Sequence, residues 1–311
     1  MKRGCSFKII IRFILTFFVA IHLSCEGRKA EPSRSKTNSP PSITSVNILP
    51  EKPTRESELN LSIQSKDPDG DSVIYQFQWT RNDKEIIGEN KNALSSGFFK
   101  KGDLVRAKVT PSDGKVNGTP FLSAPVKILN SSPVLKEVWI EPKVAYVTDR
   151  LKATLKSLDP DGDFIYHTYQ WEKNGTLLSE EREEILERGR FKKGDSIAVI
   201  VTPDDREILG PPKKSETLII SNSPPLILSS PPTSVEKTTY TYQVKANDPD
   251  NDPIAFALRS GPKGMEMDKK TGLIKWEIRK EDKGNHSVEI EVSDDAGAKS
   301  IQRYTLTIDF R

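Results

Sequence analysis

The chain has 311 residues, of which 35% are hydrophobic, with 22 prolines, two cysteines and a formal charge of +3. That length holds two or three domains, and the composition suits several small β-domains with many turns better than one large α/β core. Four of the 47 Lys and Arg residues (Lys2, Arg3, Lys8 and Arg12) crowd the N-terminal leader; without them the chain is nearly neutral, which leaves no electrostatic footprint for nucleic acid. The cysteines are Cys5 and Cys25, so no intrachain disulfide can form beyond residue 25 and the domains must be held by their cores.

Lys2, Arg3 and Lys8 form a basic segment ahead of Ile9 to Leu23, a mostly apolar run broken by Arg12. The run is too short for a comfortable span of a hydrocarbon core about 30 Å thick, so residues 1–24 read as a secretory signal. It ends His22-Leu23-Ser24-Cys25, which resembles a bacterial lipobox, with His22 where that family prefers Leu. The resemblance implies that Cys25 is acylated and tethers the mature chain to a membrane of the cell envelope, on its periplasmic or cell-surface face. Ordinary cleavage nearby and an uncleaved anchor are the alternatives. Residues 25–40 are Ser, Pro, Lys and Glu without apolar periodicity, a flexible spacer.

Internal repetition organises the remainder. Asp67-Pro68-Asp69-Gly70-Asp71 returns as Asp159-Pro160-Asp161-Gly162-Asp163 and, altered, as Asp248-Pro249-Asp250-Asn251-Asp252. Trp79, Lys100-Lys101-Gly102-Asp103 and Val109-Thr110-Pro111 return as Trp171, Lys192-Lys193-Gly194-Asp195 and Val201-Thr202-Pro203, each offset by 92 residues. Units of roughly 90 residues with turn signals every 8–12 describe β-sandwiches, here 41–130 and 131–222. Tyr75, Phe77 and Trp79 share one face of a period-2 strand, as do His167, Tyr169 and Trp171; that face is expected to be core. Asn174-Gly175 predicts a tight hairpin, and Asn82-Asp83 is its weaker counterpart. Together these stretches resemble the polycystic-kidney-disease-like and other immunoglobulin-like repeats of bacterial surface proteins.

The third unit, 223–311, departs after its acidic turn. It carries Tyr240-Thr241-Tyr242-Gln243-Val244, Gly261-Pro262-Lys263-Gly264-Met265, Thr271-Gly272-Leu273-Ile274-Lys275-Trp276 and a closing Val292-Ser293-Asp294. It resembles the dystroglycan-type cadherin-like, or putative Ig, domain. The expected fold is therefore all-β: three tandem immunoglobulin/cadherin-like sandwiches after a signal and a linker.

The acidic turns have two readings. Pro fixes φ, Gly or Asn accepts positive φ, and Asp bonds backbone two residues on, so the string is a turn whose carboxylates cap amides and face water. Equally, carboxylates gathered this closely are hard oxygen ligands for calcium. In cadherins the ion sits where consecutive domains meet. Carried over by motif, the resemblance implies ligands Asp248 and Asp250 with Asp294, and likewise Asp67, Asp69, Asp159 and Asp161, with Asp113 and Asp205 as weaker partners. The linker Ile220-Ser221-Asn222-Ser223-Pro224 keeps one Asn and lacks the acidic residues of a cadherin junction.

No enzyme is expected. The chain lacks Gly-x-Ser-x-Gly, His-Glu-x-x-His and phosphate-loop patterns, and paired carboxylates repeated in every unit suggest scaffold rather than glycosidase. His167 is expected to be buried and bonded to backbone, and His286 to lie in an exposed loop. Trp139 reads as packing, with sugar stacking as the alternative; Asn117-Gly118-Thr119 and Asn174-Gly175-Thr176 read as turns. The resemblances imply a lipid-anchored binding, adhesion or spacer protein of the cell envelope with protein or glycan partners. The alternative is a non-catalytic accessory or carbohydrate-binding subunit of an envelope complex.

Overall fold

The computed structural model describes residues 37–232, 234–235 and 238–309. The leader, Cys25 and most of the spacer lie outside the described residues. Among the described residues the regular structure is β-strand apart from two 3-10 turns, Ser96–Phe98 and Lys280–Asp282. No helix there is long and apolar enough to cross a membrane.

The first sandwich runs β1 (Ser42–Leu49), β2 (Leu59–Lys66), β3 (Ile74–Arg81), β4 (Lys84–Glu85), β5 (Ala93–Leu94), β6 (Leu104–Ser112), β7 (Phe121–Leu122) and β8 (Val126–Lys127). One sheet has the order β1-β2-β5; the other is β4-β3-β6-β7, with β8 also on β6. The second runs β9 (Val134–Glu141), β10 (Leu151–Leu158), β11 (Tyr166–Lys173), β12 (Thr176–Leu177), β13 (Ile185–Leu186), β14 (Ser196–Asp204), β15 (Lys213–Lys214) and β16 (Leu218–Ile219). Its sheets repeat the plan as β13-β10-β9 and β12-β11-β14-β15, with β16 on β14. Even an irregularity is shared: the register slips at Gln64/Ser65 opposite β1 and at Lys156/Ser157 opposite β9.

Alternation along the strands builds the cores. On β6 Val105, Ala107 and Val109 are fully buried, and on β14 so are Ile197, Val199 and Val201. Each such Val or Ile contributes about 1.5–3 kcal/mol relative to exposure. Trp79 and Trp171 are fully buried, and each indole N–H donates to a carbonyl, of Lys91 at 2.9 Å and of Glu183 at 2.9 Å. Tyr75, Phe77 and Tyr169 pack partly buried against these cores. His167 is half-buried and bonds the Ser157 hydroxyl at 3.2 Å rather than backbone. Both predicted hairpins form, joining β3 to β4 and β11 to β12.

The third sandwich runs β17 (Leu226–Ile227), β18 (Ser234–Val235), β19 (Thr239–Gln243), β20 (Ala246–Asn247), β21 (Ile254–Ser260), β22 (Glu266–Met267), β23 (Leu273–Glu277), β24 (Gly284–Asp294) and β25 (Lys299–Ile308). Its sheets are β18-β25-β24-β21 and β19-β23-β22, with β17 paired to β20. The core tryptophan moves to β23: Trp276 is buried and its N–H reaches the Lys263 carbonyl at 3.1 Å. His286 belongs to β24, not to a loop, and meets Trp276 edge-on with ring centroids 5.1 Å apart.

Candidate metal centres at the domain joints

All three acidic turns adopt one local geometry. The first Asp accepts, through Oδ1, the amides two and four residues on: Asp69 and Asp71 on Asp67 at 2.8 and 3.1 Å, Asp161 and Asp163 on Asp159 at 2.8 and 3.2 Å, and Asp250 and Asp252 on Asp248 at 2.8 and 3.4 Å. Gly70, Gly162 and Asn251 take the positive φ the turn requires (82°, 85° and 67°). The capping expected of a structural turn is thus present, on one oxygen. The other oxygen, Oδ2 of Asp67, Asp159 and Asp248, is buried and has no hydrogen-bond partner. Asp159 and Asp248 do not face water; each is 6% exposed.

The linkers draw the later-strand aspartates to these turns. The Ser131 N–H donates to Asp161 Oδ2 at 2.6 Å, and the Asn130 side-chain amide donates to Asp205 Oδ2 at 2.6 Å. One module on, the Ser223 N–H donates to Asp250 Oδ2 at 2.6 Å and the Asn222 amide to Asp294 Oδ2 at 2.7 Å. Asp205 and Asp294 are buried residues. Burial alone would push their carboxyls up, but hydrogen bonds outweigh it and hold both below the ordinary range: Ile208, Asn130 and Glu207 on Asp205, Asn222 and the Ala298 amide on Asp294. The structure therefore brings Asp159, Asp161 and Asp205 to one joint and Asp248, Asp250 and Asp294 to the next. Asp67 and Asp69 form the matching turn of the first sandwich, whose Asp113 caps the amides of Lys115 and Val116 at 2.7 and 2.8 Å.

What remains at each joint is a set of oxygens without hydrogen atoms to accept. At the first these are Asn130 Oδ1, Ser131 Oγ, Asp159 Oδ2 and Asp161 Oδ1; at the second, Ser223 Oγ, Asp248 Oδ2 and Asp250 Oδ1. Ser131 and Ser223 are each 2% exposed. Every buried polar atom left unsatisfied costs about 1–3 kcal/mol. In each turn one oxygen from each of the three aspartates lies within 4.8 Å of the others, for Asp159, Asp161 and Asp163 and for Asp248, Asp250 and Asp252. Hard, uncapped oxygens, two of them from carboxylates at each joint, are of the kind a divalent cation of the calcium type takes.

A feature that periodicity does not show is a lysine from the preceding sandwich at each joint. Lys101 Nζ donates to Asp163 at 2.7 Å and to Glu207 at 2.5 Å; Lys193 Nζ donates to Asn222 Oδ1 at 3.0 Å and to Asp252. Asp163 and Glu207 hold the Lys101 ammonium well above the ordinary lysine range, and Asp252 raises that of Lys193. Both belong to the Lys-Lys-Gly-Asp block. Its glycine amides are fixed to the end of their own sandwich, Gly102 to the Ile128 carbonyl at 2.8 Å and Gly194 to Ile220 at 2.9 Å. Its aspartate closes the turn on Lys100 and Lys192 at 2.9 and 2.8 Å. The recurrence of the block beside the acidic turn, at the same offset, was the available sequence clue.

The model of the family described as putative Ig domain matches residues 224–309. No curated protein sequence matches the chain. Among solved structures, a Bacteroides fragilis protein described as a putative alpha-galactosidase is 22% identical with a TM-score of 0.24; the match covers 28% of this chain and 18% of that one. The N-terminal eight Ig domains of Down Syndrome Cell Adhesion Molecule are 11% identical, covering 88% and 37%, with a TM-score of 0.38. Extracellular cadherin domains 3–6 of Protocadherin Gamma B2 are 11% identical, covering 88% and 78%, with a TM-score of 0.28.

Proposed function

We propose that the chain is an extracytoplasmic binding, adhesion or spacer protein, tethered through acylated Cys25, whose sandwiches are held in line by calcium at their joints. Three successive sandwiches with separate cores present several loop and edge surfaces on one chain, an arrangement that suits multivalent contact or reach. The observation that carries the metal is the set of buried, partnerless oxygens at each joint. Asp159 and Asp161 with Asn130 and Ser131 would hold one ion; Asp248 and Asp250 with Ser223 would hold the next, with Asp294 fixing Asn222 beside it. Asp67 and Asp69 offer the same pair of carboxylates in the first sandwich. The ion supplies charge and rigidity when bound, and no reaction is involved. Titrating the full chain with calcium after EDTA treatment tests this reading. Saturable uptake accompanied by a rise in melting temperature is the expected result; no uptake and an unchanged melting temperature at millimolar calcium would overturn it.

A further inference from the structure

The second sandwich carries a groove of about 850 Å³ that the joints do not involve. It lies between β9, the edge of one sheet, and β15, the edge of the other. Five lysines line it, Lys136, Lys143, Lys156, Lys213 and Lys214, against three glutamates, together with Trp139. Trp139 stands on the outward face of β9 between the buried Val138 and Ile140, with the Lys156 ammonium 5.9 Å from its ring centroid. The other three tryptophans are buried in cores. Lys156 pairs with Glu137 at 3.0 Å and Lys214 with Glu172, whereas Lys136 and Lys143 are exposed and stay outside the ion pairs seen among the described residues.

The first sandwich supplies an internal control, since it is the same domain 92 residues earlier. There Thr44, Glu51, Gln64, Phe121 and Leu122 stand where the second has the five lysines, and Asn47 stands where it has Trp139. Core and turn positions such as Trp79, Asp67 and Asp103 are unchanged between the copies. Ser45, Leu49 and Ala124 stand where the second has its three glutamates, so the net charge of the lining moves from −1 (Glu51 alone) to +2 (five lysines less three glutamates), and one position gains a flat aromatic surface. Maintenance of the fold does not call for that, because the first sandwich folds without it.

We infer that this groove binds an acidic polysaccharide, with Trp139 stacking on a sugar ring and the lysines pairing with its carboxylates or sulfates. The groove is open to solvent rather than enclosed, which suits a polymer better than a sequestered small molecule. Indole offers an apolar platform to the C–H face of a pyranose, and ammonium groups on both walls meet acids spaced along a chain. An acidic peptide adding itself as a strand is disfavoured at β9, because the Lys213 ammonium already bonds the Lys136 carbonyl on that edge at 2.6 Å.

The half-buried Trp139 makes its own reporter, since the remaining tryptophans are shielded. The full chain in EDTA, with joint ions excluded, is titrated with polygalacturonate, neutral dextran and poly-glutamate while tryptophan emission is followed. Polygalacturonate should give a saturable change that weakens with salt, and dextran none. Restoring the first sandwich's residues in Lys143→Glu/Lys156→Gln removes two exposed positive charges at once and should weaken binding about tenfold at unchanged melting temperature. Trp139→Asn, followed by co-sedimentation, should weaken it as well. Absence of any emission change, an equal response to dextran, full affinity in Trp139→Asn, or poly-glutamate binding as tightly would each overturn the assignment.

Discussion

Asp250→Asn separates an ion ligand from a hydrogen-bonding cap, because the two roles predict opposite behaviour with and without calcium. Asp250 Oδ2 accepts the Ser223 amide at 2.6 Å, while Oδ1 is buried without a partner. Oxygens of Asp248 and Asp252 lie within 4.8 Å, and two charges at that distance repel by about 3 kcal/mol at an effective dielectric of roughly 20. Lys193 on Asp252 offsets part of this. Asparagine keeps a carbonyl oxygen for Ser223 and removes the charge, so in EDTA the variant should melt at or slightly above the wild-type temperature. In calcium the order should reverse. For affinities of about 10⁻⁴–10⁻³ M, the range of extracellular modules, roughly 10 mM calcium adds about 1.4–2.7 kcal/mol to the wild type. In a domain of this size that raises the melting temperature by at least about 5 °C, and the variant should forgo most of it. Asp248→Ala is the contrast: it removes the cap on two amides and should destabilise under both conditions. An Asp250→Asn variant that loses the same stability in EDTA as in calcium would show a structural cap and sink the ion reading.

Two further predictions concern the framework. A Cβ on Gly118 or Gly210 would lie 1.9 Å from the carbonyl oxygen of Pro41 or Pro133, so alanine at either should cost about 2 kcal/mol or more. Gly97→Ala has nothing within 4 Å and should be near neutral in the same denaturant titration. For acid stability, Asp205 has a folded pKa depressed below its ordinary 3.8, so its contribution is complete above that value and is lost as pH falls through the lower folded one. Melting temperature should accordingly fall below about pH 4, and Asp205→Asn should flatten that fall; an unchanged acid slope would assign it to other groups.

Much of the framework was legible because it is local. Period-2 alternation placed Trp79 and Trp171 in cores, and Asn174-Gly175 placed a hairpin, since each depends on neighbours a few residues away. The acidic turns were legible as turns for the same reason. Whether their carboxylates cap amides or await an ion was not, because the structure divides each leading aspartate: one oxygen caps, the other is orphaned. The linker looked poor in ligands because it lacks carboxylates, yet Asn130, Ser131 and Ser223 contribute buried side-chain oxygens. Lys101 and Lys193 escaped notice because their partners lie 62 and 59 residues away. His286 was misplaced because a strand beginning at Gly284 has no alternating apolar residues at its start.

The lysines bear on what kind of ion the joints accept. The third aspartate of every turn is ion-paired with a lysine: Asp71 with Lys115 at 2.7 Å, Asp163 with Lys101 at 2.7 Å, and Asp252 with Lys193. In the first sandwich the lysine is internal; at the two joints it reaches across from the module before. An ammonium group is a compact charge held at a fixed place, so it answers the outermost carboxylate and leaves the inner two. Within each turn three carboxylates with one ammonium leave two negative charges, and at the joints Asp205 or Asp294 adds a further carboxylate, so the excess negative charge favours a divalent over a monovalent ion. The same ammonium ties the modules when no ion is bound, although such partly exposed pairs contribute little each. On the proposed calcium reading, a joint built this way would be weakly oriented by its own side chains and firmly oriented with the ion bound, so calcium concentration would set its stiffness.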